Sequence, residues 1–341
     1  MINIGDTLKL DLNSTIEEIR GAGGKKILLQ LPDGLKPDVF QYFTELSRNF
    51  SVIVTSDPFY GACDIGNMEI YRDVDFIVQL GHSEIPNIKY PKPVIFIEKR
   101  IERFPDIPDD AFDAIKRKGY SRIGLLCSIQ YLDMMYIVRD QLLRLGFSVF
   151  IGKQDSRMKY PGQVLGCNFS AAHSISSSVD CYVVVSTGKF HGIGTQLSSE
   201  KDVFILDLNL RGLQDISQET DRFLRKRYAR IYSGRDAKKV CVVVDSKIGQ
   251  YRRRLAETIM KQAEGMGLDP VLLIANDVKP SDYENMRCDL VVFTGCPRVP
   301  IDDEDKFKMP VLTPQEFQMV FGLKKSRKYI MDEIVAVDPI N

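Results

Sequence analysis

Two kinds of apolar pattern alternate along the chain. Short stretches such as "KKILLQL", "VDFIVQL" and "KKVCVVV" are almost continuously apolar, which is typical of parallel strands covered on both faces. Longer stretches such as "DVFQYFTELSRNF", "YLDMMYIVRDQLLRLGF" and "YRRRLAETIMKQAEGMG" place apolar residues at helical spacing, and the last two run into a glycine suited to a helix C-cap. The alternation predicts an α/β fold built on parallel sheets.

The pattern of strands and helices repeats three times along the chain. Three markers recur: a polar or basic residue before an apolar run (Lys25, Ser121, Lys238), an aspartate before a strand (Asp75, Asp180, Asp289) and a lysine before a further strand (Lys92, Lys201, Lys308). The aspartates are spaced by 105 and 109 residues, which indicates a triplication. We expect three homologous Rossmann-like domains, residues 1–105, 106–215 and 216–341. Each should read strand, helix, strand, helix, strand and short fourth strand, in a four-stranded mainly parallel sheet.

Composition narrows the class of protein. The 46 Lys and Arg residues balance the 46 Asp and Glu residues, so direct binding of nucleic acid is not expected. The basic run "RFLRKRYAR" (222–230) is interpreted mainly as a solvated helix bridging domains, with a protein-docking face as the alternative. The N-terminus does not resemble a signal peptide and no apolar run is long enough to span a bilayer, so we predict a cytoplasmic protein without a membrane anchor.

No phosphate-binding glycine motif follows the first strand of any repeat, so the fold alone does not imply a dinucleotide or ATP. The seven cysteines are an odd number in a reducing compartment, which makes a disulfide framework improbable. Four of them lie in or at the start of apolar strands and are interpreted as small core residues: Cys127, Cys181, Cys241 and Cys288.

The other three cysteines occupy loops beyond strand ends. Cys63 and Cys167 follow the second strand of their repeats, Cys296 follows the third strand of its repeat, and each has a glycine one or two positions before it. One loop cysteine per repeat suggests a shared site at the carboxyl ends of the strands. Unrelated loop cysteines and a nucleophilic or redox thiol are the alternatives. Zinc is disfavoured because close cysteine pairs are absent, whereas three thiolates suit a cubane iron-sulfur cluster with one iron left open.

An ordered set of short motifs resembles the diphthamide synthase subunit family, the 2-(3-amino-3-carboxypropyl)histidine synthases. The motifs are "LPDGL", "YGACD", "GQVLGCN", "KFHGIG", "DSKIGQ" and "GCPR", and they extend over essentially the whole chain. Because all three cysteines are present in one chain, the sequence looks like the archaeal homodimeric form.

The resemblance implies that Cys63, Cys167 and Cys296 hold a 4Fe-4S cluster whose fourth iron binds S-adenosylmethionine. It also implies noncanonical radical cleavage between the sulfur and the methionine γ-carbon. The 3-amino-3-carboxypropyl group would pass to C2 of a histidine imidazole in the translocation elongation factor, in the first step of diphthamide biosynthesis. The three repeats would surround this central site, and an electron donor of unknown identity would be needed.

Further loops at the same strand ends hold candidate contacts to S-adenosylmethionine. They are Asp33, Gly34, Gly81, His82, Gly188, His191, and Ser246 with Gln250 at the start of a helix. Exposed amides at a helix start can hold a carboxylate. The alternative is that these residues only form turns and caps, and no catalytic base is assigned.

Two other functions stay open from the sequence. A quinolinate synthase-like enzyme would also have three repeats and three cysteines, but would use its 4Fe-4S cluster as a Lewis acid. A non-enzymatic module that binds a small molecule or stores metal would make the cysteines incidental.

Overall fold

The fold is described from a computed structural model. It describes residues 4–69, 71–102, 104–323 and 328–339, with the backbone alone for residues 4–11. The chain forms two compact units, one of residues 1–100 with 247–249 and one of residues 101–246 with 250–341.

The first unit is a parallel four-stranded sheet with helices packed on it. Its elements are α1 (Ile4–Gly21), β1 (Lys26–Gln30), α2 (Val39–Ser47), β2 (Ser51–Val54), β3 (Phe76–Leu80) and β4 (Val94–Ile97), with a 3-10 turn over Asp33–Asp38. The strand order is β2-β1-β3-β4. The core lies between the sheet and the helices α1 and α2, where Ile19, Ile27 and Leu46 are completely buried.

The helix predicted between the second and third strands of this repeat is wrong. Among the described residues between β2 and β3, the chain forms turns and bends. The segment "DPFYGACDIGNM" carries a proline and two glycines, and Gly66 adopts a left-handed φ of 75°, which a helix does not permit.

The second unit contains two sheets. The elements leading into and forming the earlier one are α3 (Asp113–Arg117), β5 (Arg122–Cys127), α4 (Leu132–Arg144), β6 (Ser148–Ile151), α5 (Ser170–His173), β7 (Cys181–Val185), α6 (Phe190–Ser199), β8 (Asp202–Asp207) and β9 (Gly212–Asp215). The order is β6-β5-β7-β8-β9, and β9 runs antiparallel to β8. This sheet therefore has five strands, not the four expected. The chain reverses at Arg211, with φ of 49°, and the short, half-polar "GLQD" gave no apolar signal.

The later sheet of the second unit follows a long connecting helix. Its elements are α7 (Ser217–Ser233), β10 (Lys239–Asp245), α8 (Arg253–Gly265), β11 (Asp269–Ala275), α9 (Pro280–Asn285), β12 (Leu290–Phe293), α10 (Arg298–Asp302), β13 (Val311–Leu312) and α11 (Pro314–Val320). The strand order is β11-β10-β12-β13, all parallel. One apolar core cluster extends over both sheets of this unit.

The three sheets share one connectivity, with the first strand between the second and third. The aspartate markers explain part of this likeness, because each carboxylate accepts two backbone N–H bonds at the start of the first strand. Asp75 binds the amides of residues 25 and 26, Asp180 those of 121 and 122, and Asp289 those of 238 and 239. The α/β fold class of three mainly parallel sheets is confirmed, whereas the domain boundaries near 105 and 215 stay predictions.

Two interpretations from the sequence need correction. Cys241 and Cys288 are joined as a disulfide, with a Cα–Cα distance of 5.9 Å. They are buried as expected, but Cys241 in β10 also meets Cys288, which lies just before β12. Their separation of 47 residues along the chain gave no sign of this contact. The basic run is not simply solvated, because Arg227 on α7 is buried and paired with Glu304 and Glu316.

None of the described helices is both long and apolar enough to cross a lipid bilayer.

Candidate functional site

Exposure separates the cysteines into the same two groups as the sequence. Cys63, Cys167 and Cys296 are half-buried and lie outside the disulfide. Cys127 and Cys181 are completely buried, and burial raises the pKa of Cys181 to about 12. Of the five cysteines outside the disulfide, the three loop cysteines are the partly accessible ones.

The Cys63 loop is fixed through its backbone. The four consecutive carbonyl groups of residues 62 to 65 each accept a hydrogen bond from a different donor. The donors are Tyr90 Oη to residue 62 (3.0 Å), Gly249 N to residue 63 (2.8 Å), Gln79 Nε2 to residue 64 (2.9 Å) and Gln30 Nε2 to residue 65 (2.9 Å). Because each donor comes from a different part of the unit, the loop is held at four successive points.

Two of these donors are buried side chains at strand ends. Gln30 closes β1 and Gln79 lies in β3, and both are completely buried. Gln79 Nε2 also donates to Gln30 Oε1 at 2.9 Å. A buried amide that is fully hydrogen-bonded rigidifies its surroundings, so the pair ties the sheet directly to the cysteine loop.

Gly249 is placed by a close backbone approach. A Cβ at this position would lie 2.4 Å from both Cα and Cβ of Cys63. Only glycine fits there.

The first candidate loops for S-adenosylmethionine lie side by side in the first unit. Gly81, with φ of 83°, approaches Leu35 of the turn that starts at Asp33. Gly34 has open space around its Cα, and Asp33 is exposed and paired with Lys36 at 2.6 Å.

His82 follows this glycine and faces the buried amide of Gln79. Its Nδ1 lies 3.2 Å from Gln79 Oε1. Burial lowers the pKa of His82 to about 4, so the imidazole is neutral at neutral pH.

Cys167 lies at the tip of a tight turn in the second unit. Residues 165 and 168 exchange two backbone hydrogen bonds of 3.1 and 3.2 Å, which leaves Gly166 and Cys167 as the turn residues. The preceding chain pairs with the end of β5 at Cys127. Asn168, completely buried, donates to Asp155 at 2.8 Å.

The Cys296 loop is held by two residues that precede α8. The Cys296 amide donates to Gln250 Oε1 at 3.0 Å. Arg252 donates to the carbonyls of Thr294 and Gly295 at 2.6 and 2.9 Å. The helix α8 begins only at Arg253, later than predicted, and residues 247–249 before it belong to the first unit. Gln250 is thus a buried loop residue and not part of a helix start.

The two cysteine loops of the second unit meet at Arg298. A Cβ on Gly166 would lie 2.7 Å from Arg298 Cδ, and the Arg298 guanidinium stacks 4.6 Å from the ring of Phe190. Phe190 begins the helix that carries His191. The structure therefore brings together the loops of Cys167, Cys296 and His191.

The remaining candidates of this unit differ in their surroundings. Gly188 is exposed, with φ of 90° and open space around it. His191 Nδ1 lies 3.3 Å from Ser186 Oγ, and burial, aided by the charge of Arg298, lowers its pKa to about 4. Ser246 contacts Asn276, on the β11 side of the sheet.

The pKa of the Cys167 thiol is raised overall, and the nearby charges act in both directions. Burial raises the pKa, the guanidinium groups of Arg157 and Arg252 oppose this rise, and the Asp332 carboxylate adds to it. Positive groups close to a thiolate stabilise it. Among the described side chains, no group of three or more His, Cys, Asp or Glu residues could hold a metal ion.

Sequence reasoning missed the residues that support the loops. Gln30 and Gln79 did carry a signal, since "LLQL" and "IVQL" place a polar residue at equivalent positions in two apolar strands. The buried ion pair of Arg252 with Asp332, at 2.6 Å, had none, because its partners are 80 residues apart.

Comparison with known proteins gives one consistent family. Residues 31–331 match the family model described as "Putative diphthamide synthesis protein". The chain is 32% identical over 324 residues to the 2-(3-amino-3-carboxypropyl)histidine synthase of Pyrococcus horikoshii, covering 94% of this chain and 92% of that protein. The protein of the same name from Methanocaldococcus jannaschii is 27% identical, covering 95% and 93%.

A solved structure agrees. The crystal structure of Dph2 from Pyrococcus horikoshii with a 4Fe-4S cluster matches with a TM-score of 0.85 at 30% identity, covering 96% of this chain and 95% of that one. The chain therefore belongs to the diphthamide synthesis protein family and is an enzyme, a transferase.

Proposed function

We propose that the chain catalyses the first step of diphthamide biosynthesis. The 3-amino-3-carboxypropyl group of S-adenosylmethionine is transferred to C2 of a histidine imidazole in the translocation elongation factor. The bond between the sulfur and the γ-carbon breaks, a carbon–carbon bond forms, methylthioadenosine leaves, and the C2 hydrogen of the imidazole is lost as a proton. The observation that carries the proposal is the match over nearly the whole chain to Dph2, crystallised with a 4Fe-4S cluster.

Cys63, Cys167 and Cys296 are the proposed ligands of a 4Fe-4S cluster. The donor chemistry fits, because three half-buried thiols lie on loops whose backbones are held by hydrogen bonds. The thiolates of a cubane bind different iron atoms, so they need not converge as ligands of a single ion do.

When bound, the cluster would supply an electron to the sulfonium and an open iron to hold the substrate. The chain's own task would be to hold and orient S-adenosylmethionine, so that the bond between the sulfur and the γ-carbon is the one that breaks. Asp33, Gly34, Gly81, Gly188 and Ser246 stay proposed contacts to S-adenosylmethionine.

Three further candidates have more defined roles. His82 and His191 are neutral at neutral pH, since their pKa values are lowered to about 4, so each would act as a hydrogen-bonding group and not as a cation. Gln250 would act mainly by holding the Cys296 amide.

The proposal includes the setting of the reaction. The enzyme would work in the cytoplasm as a homodimer of the archaeal type, with the elongation factor as its protein substrate and a separate electron donor. Its balanced charge gives no reason to expect direct nucleic-acid binding.

The experiment combines the anaerobically reconstituted, reduced protein with S-adenosylmethionine and the purified elongation factor. We expect methylthioadenosine to appear together with a matching mass increase on one histidine of the factor. A factor with that histidine replaced should receive no group. An intact, reduced cluster that leaves S-adenosylmethionine uncleaved would contradict the proposal and favour the Lewis-acid alternative.

A further inference from the structure

The last described segment of the chain runs across the cysteine loops of the second unit. We call residues 329–338 the C-terminal strap. It contains no helix or strand, yet Tyr329, Met331, Asp332 and Ile334 are all buried, with at most 4% of each exposed. An irregular segment with buried side chains is held by specific contacts. In the strap, these contacts are made with the loops of Cys167 and Cys296.

On one side, the strap is joined to the Cys296 loop through an ion pair. Arg252 binds both oxygens of Asp332, at 3.1 and 2.6 Å. Its other N–H groups donate to the carbonyls of Thr294 and Gly295, directly before Cys296, and to the carbonyl of Glu333 in the strap. Asp332 is 1% exposed and Arg252 is 7% exposed, so the carboxylate fixes a guanidinium that in turn fixes the loop.

On the other side, the strap is joined to the Cys167 turn by direct bonds. The Ile334 amide donates to the Cys167 carbonyl at 2.7 Å, and Asn168 Nδ2 donates to the Ile334 carbonyl at 3.3 Å. The Phe169 amide donates to Glu333 Oε2 at 2.7 Å. Three consecutive strap residues, 332 to 334, therefore bind one cysteine loop through Arg252 and the other directly.

We propose that the C-terminal strap is a positioning element that sets the spacing between Cys167 and Cys296, with Asp332 as its central positioning residue. The inference rests on the proposed function, because the spacing matters for a shared cluster. Removing the carboxylate leaves the Arg252 guanidinium buried without its counter-charge, which is strongly unfavourable, so Arg252 would release the Thr294 and Gly295 carbonyls.

The first test uses the full-length apoprotein in a Cys63→Ala background. A short bifunctional thiol reagent should cross-link Cys167 with Cys296, as identified by peptide mass spectrometry. We expect the yield to fall severalfold in Asp332→Asn and to recover in part in Asp332→Glu, which keeps the charge. The matched control is Glu304→Gln, another buried carboxylate paired with an arginine, which should lose stability without losing the cross-link.

Glu333→Ala is the second variant, for use if Asp332→Asn does not fold. Its side chain is partly exposed, and its loss removes the partner of both the Phe169 amide and His173 Nε2. The Arg252–Asp332 ion pair is left in place, so a smaller decrease in cross-linking is expected. Absence of the cross-link in the parent protein, or equal yields in all variants, would overturn the inference.

The second test uses the reconstituted holoprotein with Cys63 intact. Asp332→Asn should bind less iron and sulfide and show an altered electron paramagnetic resonance signal in its reduced cluster, whereas Glu304→Gln should match the wild type. If the wild type binds a cluster and Asp332→Asn gives the same signal and content, the strap inference fails and the proposed function stands. If the wild type binds no cluster, the proposed function fails. The cross-linking of Cys167 with Cys296 in the apoprotein then still tests whether the strap sets their spacing.

Discussion

At the scale of single residues, the lack of a side chain at Gly249 allows its backbone to approach the Cys63 loop closely. Its amide reaches the Cys63 carbonyl at 2.8 Å, and a Cβ would overlap the Cys63 backbone. We expect Gly249→Ala to displace the Cys63 loop, lower the melting temperature and increase the rate at which a thiol reagent modifies Cys63.

Gly265→Ala is the control for this substitution. Gly265 ends α8 and has nothing within 4 Å of a built Cβ, so alanine should be neutral or slightly stabilising there. Equal Cys63 reactivity in Gly249→Ala and wild type would show that the loop does not depend on the close approach.

The histidines predict a pH dependence of stability. Burial lowers the pKa of His82 and His191 from 6.5 to about 4. Between these values the unfolded chain binds protons that the folded chain does not, so the free energy of unfolding decreases as the pH falls from 6.5 to 4. Each histidine can contribute up to about 1.4 kcal/mol per pH unit.

Urea unfolding at several pH values measures this slope. The double variant His82→Gln, His191→Gln should flatten it. The third histidine, His173, acts in the opposite direction, because its bond to Glu333 raises its pKa. Its contribution is complete below pH 6.5 and is lost as the pH rises through the folded value. A double variant as pH-sensitive as the wild type would contradict the assignment.

At the scale of elements, a carboxylate closes the start of each sheet in the same way. Asp180 accepts bonds from two backbone amides and from the Arg122 side chain, which together hold its pKa well below the usual range. We expect Asp180→Asn to lower the free energy of unfolding by about 1 kcal/mol. The loss should be complete above pH 4 and should disappear as acid protonates the wild-type carboxylate.

Asp140→Asn serves as the comparison, because Asp140 is an exposed helix residue whose partner among the described residues is its neighbour Arg139. Urea unfolding of both variants at neutral and acidic pH gives the measurement. If the difference in the free energy of unfolding between Asp180→Asn and the wild type stays the same in strong acid, the ionised carboxylate is not the cause of the lost stability.

Elements with regular apolar patterns could be predicted from the sequence, and irregular ones could not. The strands around Asp75, Asp180 and Asp289 repeat with a near-constant period, so three parallel sheets followed from the sequence. The antiparallel β9 did not, because "GLQD" depends on a reversal at Arg211 and on packing against β8. The helix expected between β2 and β3 is not formed around Gly66, because the turn residues of this segment, with Gly66 at a φ of 75°, do not fit a helix.

At the scale of the whole molecule, the proposed cluster ligands could be recognised from the residues next to them in the sequence. The residues that hold their loops in place come from distant parts of the chain. The three loop cysteines could be selected because each follows a strand end and a glycine. Arg252 and Asp332 could not, since an ion pair across 80 residues leaves no local pattern. The Cys241–Cys288 disulfide was missed for the same reason, because its two cysteines are 47 residues apart in the sequence.

The central claim is that Cys63, Cys167 and Cys296 together hold one cluster. The direct measurement is the iron and sulfide content, with the visible absorption spectrum, of anaerobically reconstituted wild type and single cysteine-to-alanine variants. We predict that the wild type and the control Cys127→Ala, whose thiol is buried in the core, retain a 4Fe-4S cluster, and that each of the three loop variants loses most of it. Loss in Cys127→Ala as complete as in the loop variants, or full retention in any loop variant, would contradict the account.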